Sequence, residues 1–279
     1  MSVSRYIDAA TEYVTVDGIT YAYRSTGKPT DAPLICLQHF TGTLDLWDPT
    51  VIDGLARIRQ VITIDNAGIG NSGGETPDNV QEMAKTVVRI ITALGISQCD
   101  LLGFSLGGFI AQTIAITDPQ LFRKIILIGT APQGTLALHS FPQLVSRAFA
   151  LPPADGYVFL FATTSEKSKD KIRAAQTRFL ERKQDRDKAT SMPAIQAQIK
   201  ALTRWGTDPV TLDLSAISHP VLIIQGSNDV MMNSASSLEL FRQIPNSILT
   251  YYPDSSHGSF IQYPGTFVDQ AGSFLEKFV

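Results

Sequence analysis

Apolar positions follow two rhythms along this chain. Residues 13–16 and 19–23 are β-rich runs on either side of Asp17-Gly18, a pair whose tolerance of positive φ marks a tight hairpin. Six short, largely apolar runs follow, at 34–37, 61–64, 99–102, 124–128, 221–224 and 247–252. Strands apolar on both faces need cover on both sides, which predicts a parallel sheet with helices packed over it. Between 78 and 94, Val80, Met83, Ala84, Val87, Ile90, Ile91 and Leu94 keep helical spacing, and Gly95 supplies a stop. Further helices are expected at 106–117, ending before Pro119, and at 266–279.

The alternation breaks once. From about 132 to 215 helical periodicity continues without a convincing strand. Such an insertion in a doubly wound sheet would lie over the strands' C-terminal edge, where ligands bind. The expected organisation is therefore a core of 1–132 and 216–279 with a helical lid at 133–215. The lid carries Phe141, Phe149, Tyr157, Phe159, Phe161 and Trp205, which either meet an apolar part of a substrate or form the lid's own core. Its stretch 166–188 holds nine basic and five acidic residues, either a solvated helix face or a patch that attracts an anionic substrate or acyl carrier.

Composition narrows the partners. With 279 residues, 44% of them hydrophobic, the chain can bury a sizeable core as one α/β domain. The net charge of −3 argues against a nucleic-acid partner, which usually demands a basic face. No apolar run reaches the roughly 18 residues that cross a bilayer, and the first eight residues lack the apolar centre of a signal peptide. A cytoplasmic protein without a membrane partner is expected. Cys36 and Cys99 sit in strand-like runs and read as buried core thiols; two are too few for a metal site. No metal or organic cofactor is implied, and oligomeric state leaves no mark in the sequence.

One motif carries chemistry. Gly103-Phe104-Ser105-Leu106-Gly107 ends a strand and opens a helix. A serine on such a strained turn projects its hydroxyl above the sheet, and the flanking glycines let strand and helix approach. The helix N-terminus adds unpaired N–H groups suited to a developing oxyanion. Of four histidines, His219 precedes a strand and so lies at the wrong edge, and His139 lies in the lid. His39 follows the 34–37 strand, and His257 follows the 247–252 strand in a small-residue loop, Ser255-Ser256-His257-Gly258. His257 is the expected base. Asp65 and Asp229 both end strands at the productive edge, but only Asp229 keeps the order Ser105, Asp229, His257 that a strand–turn–helix serine hydrolase uses. Asp65 is expected to brace a loop.

With these residues in place, the chain resembles the α/β-hydrolase superfamily, in its lidded esterase and perhydrolase-like branch. Relatives carry a His-Gly-Phe-Pro-Gly-like loop after the third strand; here Gln38-His39-Phe40-Thr41-Gly42, followed by Trp47, occupies that place, with Gln38 where the family has His and His39 where it has Gly. The resemblance implies an oxyanion hole from the backbone N–H groups of Phe40 and Leu106, and it leaves His39 either touching substrate or shaping the loop. Trp205 is a further candidate substrate contact. The Asp65-Asn66-Ala67-Gly68-Ile69-Gly70-Asn71-Ser72 run matches the family's Asp-x-x-Gly-x-Gly-x-Ser loop, with an implied structural role.

The expected activity is cleavage of a carboxylic ester, thioester or lactone through an acyl-enzyme on Ser105. The partner is then a small molecule with an apolar portion. The same triad could serve perhydrolysis or C–C bond hydrolysis, and the same fold could serve a non-catalytic small-molecule receptor. A dinucleotide site at 68–73, which spells G-x-G-x-x-G, is disfavoured because Pro77 intervenes before the helix and no strand-end acid follows at the required distance.

Overall fold

In a computed structural model of the protein, residues 5–277 are described. Residues 1–4, read above for a signal segment, and 278–279, at the end of the expected last helix, lie outside them. The hairpin forms on Asp17 (φ 50°) and Gly18 (φ 79°), which join β1 (Glu12–Val16) to β2 (Ile19–Thr26). Strands and helices then alternate as β3 (Leu34–Leu37), α1 (Pro49–Ala56), β4 (Val61–Ile64), α2 (Val80–Ala93), β5 (Cys99–Phe104), α3 (Leu106–Thr117) and β6 (Phe122–Ile128). Next come α4 (Phe141–Phe149), α5 (Pro153–Phe161), α6 (Glu166–Phe179) and α7 (Met192–Thr207). The chain returns through β7 (Val221–Gly226), α8 (Ser234–Gln243), β8 (Ser247–Tyr252), α9 (Ser259–Gln262) and α10 (Pro264–Lys277).

Among the described residues the strands form one sheet of eight, ordered β1-β2-β4-β3-β5-β6-β7-β8. All pairings from β4 through β8 are parallel, and β2 runs antiparallel to both neighbours. Every residue of β3, β4, β5 and β7 is buried, as double-faced apolar runs require. Flanking helices pack in groups, α1 against α10 and α2 against α3. Three strands outrun the apolar signal. Gly103 in β5 and Gln225 and Gly226 in β7 break the pattern yet still pair, Gly103 with Leu37 and Leu127, Gly226 with Tyr252. At the other end, Phe122 extends β6 by pairing with Cys99 across a register shift.

Helix ends differ slightly from the periodic reading, for local reasons. The α2 helix starts at Val80 because the Asn79 side chain caps it, accepting from the Glu82 amide at 2.9 Å. The last helix starts two residues early, on Pro264, which costs nothing where the N–H has no intrahelical partner. Cys36 and Cys99 are free, buried thiols; burial pushes both up, Cys99 to about 12. No helix among the described residues is long and apolar enough to cross a membrane.

The segment between β6 and β7 is helical. It meets the sheet where β3 and β8 end: Thr41 donates its N–H to Gln198 of α7 at 2.7 Å, and Gly258 donates to the Phe161 carbonyl of α5 at 3.2 Å. These contacts join the segment to the loops that follow β3 and β8.

Candidate active site

The turn between β5 and α3 holds Ser105 at φ 55° and ψ −114°, in the left-handed half of the map that costs a non-glycine residue on the order of 1–3 kcal/mol. Its surroundings allow no alternative. A Cβ on Gly103 would lie 2.4 Å from the Gly107 carbonyl oxygen, and one on Gly107 would lie 2.2 Å from the Leu37 carbonyl oxygen. Backbone bonds pin the turn on both sides: Ser105 donates its N–H to Ile128, and Thr130 Oγ1 donates to the Ser105 carbonyl. Ser105 occupies the N-cap position of α3, yet its side chain caps nothing. Its Oγ is buried with no hydrogen-bond partner.

His257 and Asp229 meet across the loops that follow β8 and β7. Nδ1 of His257 lies 2.9 Å from Asp229 Oδ2, and both side chains are fully buried. Three more donors hold the carboxylate: the Met231 and Met232 amides on Oδ1, at 2.8 and 2.9 Å, and Gln225 Nε2 on Oδ2, at 3.1 Å. A carboxylate so held accepts, so the His257 proton sits on Nδ1 and leaves Nε2 as the bare nitrogen. That Nε2 is buried and unpartnered, like Ser105 Oγ. The imidazole is wedged between the Phe104 ring at 5.0 Å, on the residue preceding Ser105, and Phe161 of the insertion at 5.4 Å. The two loops are laced together by Asn228 N–H on Ser255 O and Val230 N–H on Ser256 Oγ.

The loop after β3 is folded on itself. Gln38 Oε1 accepts from the His39 amide, Gly42 donates to the His39 carbonyl, and Thr41 takes φ 61°. Among the described residues, the amides of Phe40 and Leu106 donate to no protein acceptor. Asp65 braces this loop from below, accepting from Leu44 N–H at 2.9 Å and Asn71 N–H at 3.2 Å. Burial and nearby Asp187 hold its carboxyl well above the usual carboxylate range.

A cavity of about 350 Å³ opens beside the histidine, its wall including His39, Phe40, Tyr157, Phe161, Met231 and His257. Ser105 is fully buried and is not among the residues of that wall. Trp205 corrects the sequence reading. Rather than facing a substrate, its indole stacks on Phe109 at 4.8 Å and donates Nε1–H to the Ala131 carbonyl, so it anchors α7 to α3. The aromatic residues divide accordingly: Phe149, Tyr157 and Phe161 line the cavity, while Phe141 packs edge-on against Phe40.

Much of the basic stretch 166–188 is tied inward. Arg178 forks onto fully buried Asp48, and Arg182 donates to the Ile7 and Ala9 carbonyls and to Asp185. The two remaining histidines lie elsewhere, His219 on the Pro119 carbonyl and His139 on the Gly206 carbonyl. Two residues escaped the sequence reading. Gln225 left a faint signal, a polar side chain in an otherwise apolar strand; Gln198 left none. Among the described residues no cluster of three metal-ligating side chains exists.

Comparison with known proteins agrees with the fold. The sequence model of the alpha/beta hydrolase fold family matches residues 32–264. An alpha/beta hydrolase fold protein from Chitinophaga pinensis, of solved structure, is 50% identical, with 99% of this chain and 100% of that one covered and a TM-score of 0.97. The pimeloyl-(acyl-carrier protein) methyl ester esterase of Aeromonas hydrophila subsp. hydrophila is 26% identical over 241 residues, 82% of this chain and 88% of its own. Est816, described as an N-acyl homoserine lactone degrading enzyme, shares 22% identity at a TM-score of 0.74, with 96% of this chain and 100% of its own covered, a likeness of fold.

Proposed function

The chain belongs to the alpha/beta hydrolase fold family, and from that premise we propose that it is a serine hydrolase opening a carboxylic ester, thioester or lactone through an acyl-enzyme on Ser105. One observation carries the reading. Ser105 Oγ and His257 Nε2 are both buried and unpartnered, the His257 ring packs on Phe104, the residue before Ser105, and the imidazole's other nitrogen is committed to Asp229.

In this reading His257 Nε2 takes the hydroxyl proton as Ser105 Oγ attacks the carbonyl carbon. The C=O electron pair moves to oxygen, which rests on the amides of Phe40 and Leu106 and on the positive end of α3. Collapse expels the alcohol or thiol, protonated by His257. Water then attacks the acyl-enzyme with His257 again as base, and Ser105 recovers its proton. Asp229 holds the tautomer and stabilises the imidazolium. The apolar cavity takes the hydrocarbon part of the substrate, with α4 and α5 as the lid over it.

The test is labelling with a fluorophosphonate probe, beside a screen of short- and long-chain p-nitrophenyl esters and lactones. Labelling and turnover are expected in the native protein, with both lost in Ser105→Ala and kcat down on the order of 10⁶-fold. Labelling that survives the substitution would move the nucleophile elsewhere. Absence of labelling and turnover in the native protein would favour a non-catalytic ligand receptor.

A further inference from the structure

Burial leaves a second imidazole nitrogen without a partner. His39 lines the same cavity as His257 and is only 4% exposed. Its Nδ1 lies 2.6 Å from the Phe40 carbonyl oxygen. A carbonyl only accepts, so Nδ1 carries the proton and Nε2 carries the lone pair. That lone pair meets no donor among the described residues. The ring's aromatic neighbours, Phe104 at 5.1 Å and Phe161 at 5.4 Å, both edge-on, have none to give.

Desolvation pushes His39 down to about 4, so the ring stays neutral at neutral pH. A neutral ring in this tautomer presents an acceptor, never a second oxyanion donor. A buried acceptor left empty is costly, and a site built around one discriminates sharply against ligands that cannot fill it. Its position matters as much as its state. His39 is joined to Phe40, whose amide is assigned to the oxyanion, and it packs on the same two rings as His257.

We propose that His39 Nε2 is a specificity subsite, and that the preferred substrate is an ester or lactone carrying a hydrogen-bond donor, an amide N–H or a hydroxyl, close to its scissile carbonyl. The proposal rests on the serine hydrolase reading above. Within it, an apolar chain fills the cavity while one donor on the substrate satisfies His39. Esters of plain fatty acids leave that nitrogen bare.

Two esters isolate the effect, p-nitrophenyl N-acetylglycinate and p-nitrophenyl 4-oxopentanoate, which differ only by N–H against CH₂. After correction for their rates with hydroxide, the native enzyme is expected to favour the first by about tenfold in kcat/KM. His39→Phe, which keeps an aromatic ring among Phe104 and Phe161, is expected to erase that preference. The loss should fall on the amide substrate far more than on the ketone. A native enzyme with no preference overturns the proposal without any variant. Equal losses on both esters in His39→Phe also overturn it, because they mark a ring that merely braces the loop. If the native protein neither turns over these esters nor takes the fluorophosphonate label, the serine hydrolase reading itself fails and takes this one with it.

Discussion

Acid should expose His39 as a weak point of the fold. In the unfolded chain its imidazole titrates near 6.5, whereas in the folded protein burial pushes it down to about 4. Between those values the unfolded state binds a proton that the native state refuses, so stability falls as pH drops. The sign is opposite to that of a histidine held by an anionic partner. At 1.36 kcal/mol per pKa unit, the loss amounts to about 3 kcal/mol on going from about pH 7.5 to about pH 4. The measurement is denaturant unfolding of the native protein and of His39→Phe at a series of pH values. Phenylalanine cannot titrate, so any fixed cost of losing the bond to Phe40 appears at every pH. The difference between the two proteins should shift by about 3 kcal/mol in favour of the variant across that window. Buried Asp65 and Asp187, whose carboxyls are raised, pull the other way in both proteins and cancel in the difference. Parallel stability curves down to about pH 4 would show that the imidazole is hydrated in the folded state, and the neutral-acceptor reasoning would fall with that result.

Gly107→Ala should not fold normally, because its Cβ would strike the backbone oxygen of Leu37, which cannot swing away; a loss of about 3 kcal/mol or an insoluble product is expected, and an unchanged melting temperature would contradict it. Trp205→Ala should cost about 3–5 kcal/mol in denaturant unfolding, and the milder Trp205→Phe should leave KM unchanged; a raised KM with unchanged stability would return this residue to the substrate site. Gln198→Ala removes the acceptor that holds the Thr41 amide at its unusual φ, and kcat should fall about tenfold while Gln198→Glu, which keeps an acceptor, retains most of it; equal kcat values in all three proteins would deny α7 any part in shaping the loop.

The residues themselves dictated the parts of this molecule that depend on neighbours a few positions away. Asp17-Gly18 can turn both φ angles positive, continuous apolar runs cannot tolerate an exposed face, and Gly103 and Gly107 leave room for the sharp turn at Ser105. Chain order in a parallel sheet then sufficed to send Asp229 and His257 to one edge, where they bond at 2.9 Å. Tertiary structure alone decided which side chains face the cavity. Trp205 and Phe161 look alike as aromatic residues on helices, and only the packing of α7 on α3 turns one inward to the core while α5 leaves the other on the wall. Gln198 reaches Thr41 across 157 positions, and Asp187 exchanges hydrogen bonds with Asp45 across 142. Contacts of that span leave no periodicity to read. The neutral, acceptor state of His39 belongs to the same class, because burial set by distant segments fixes its charge.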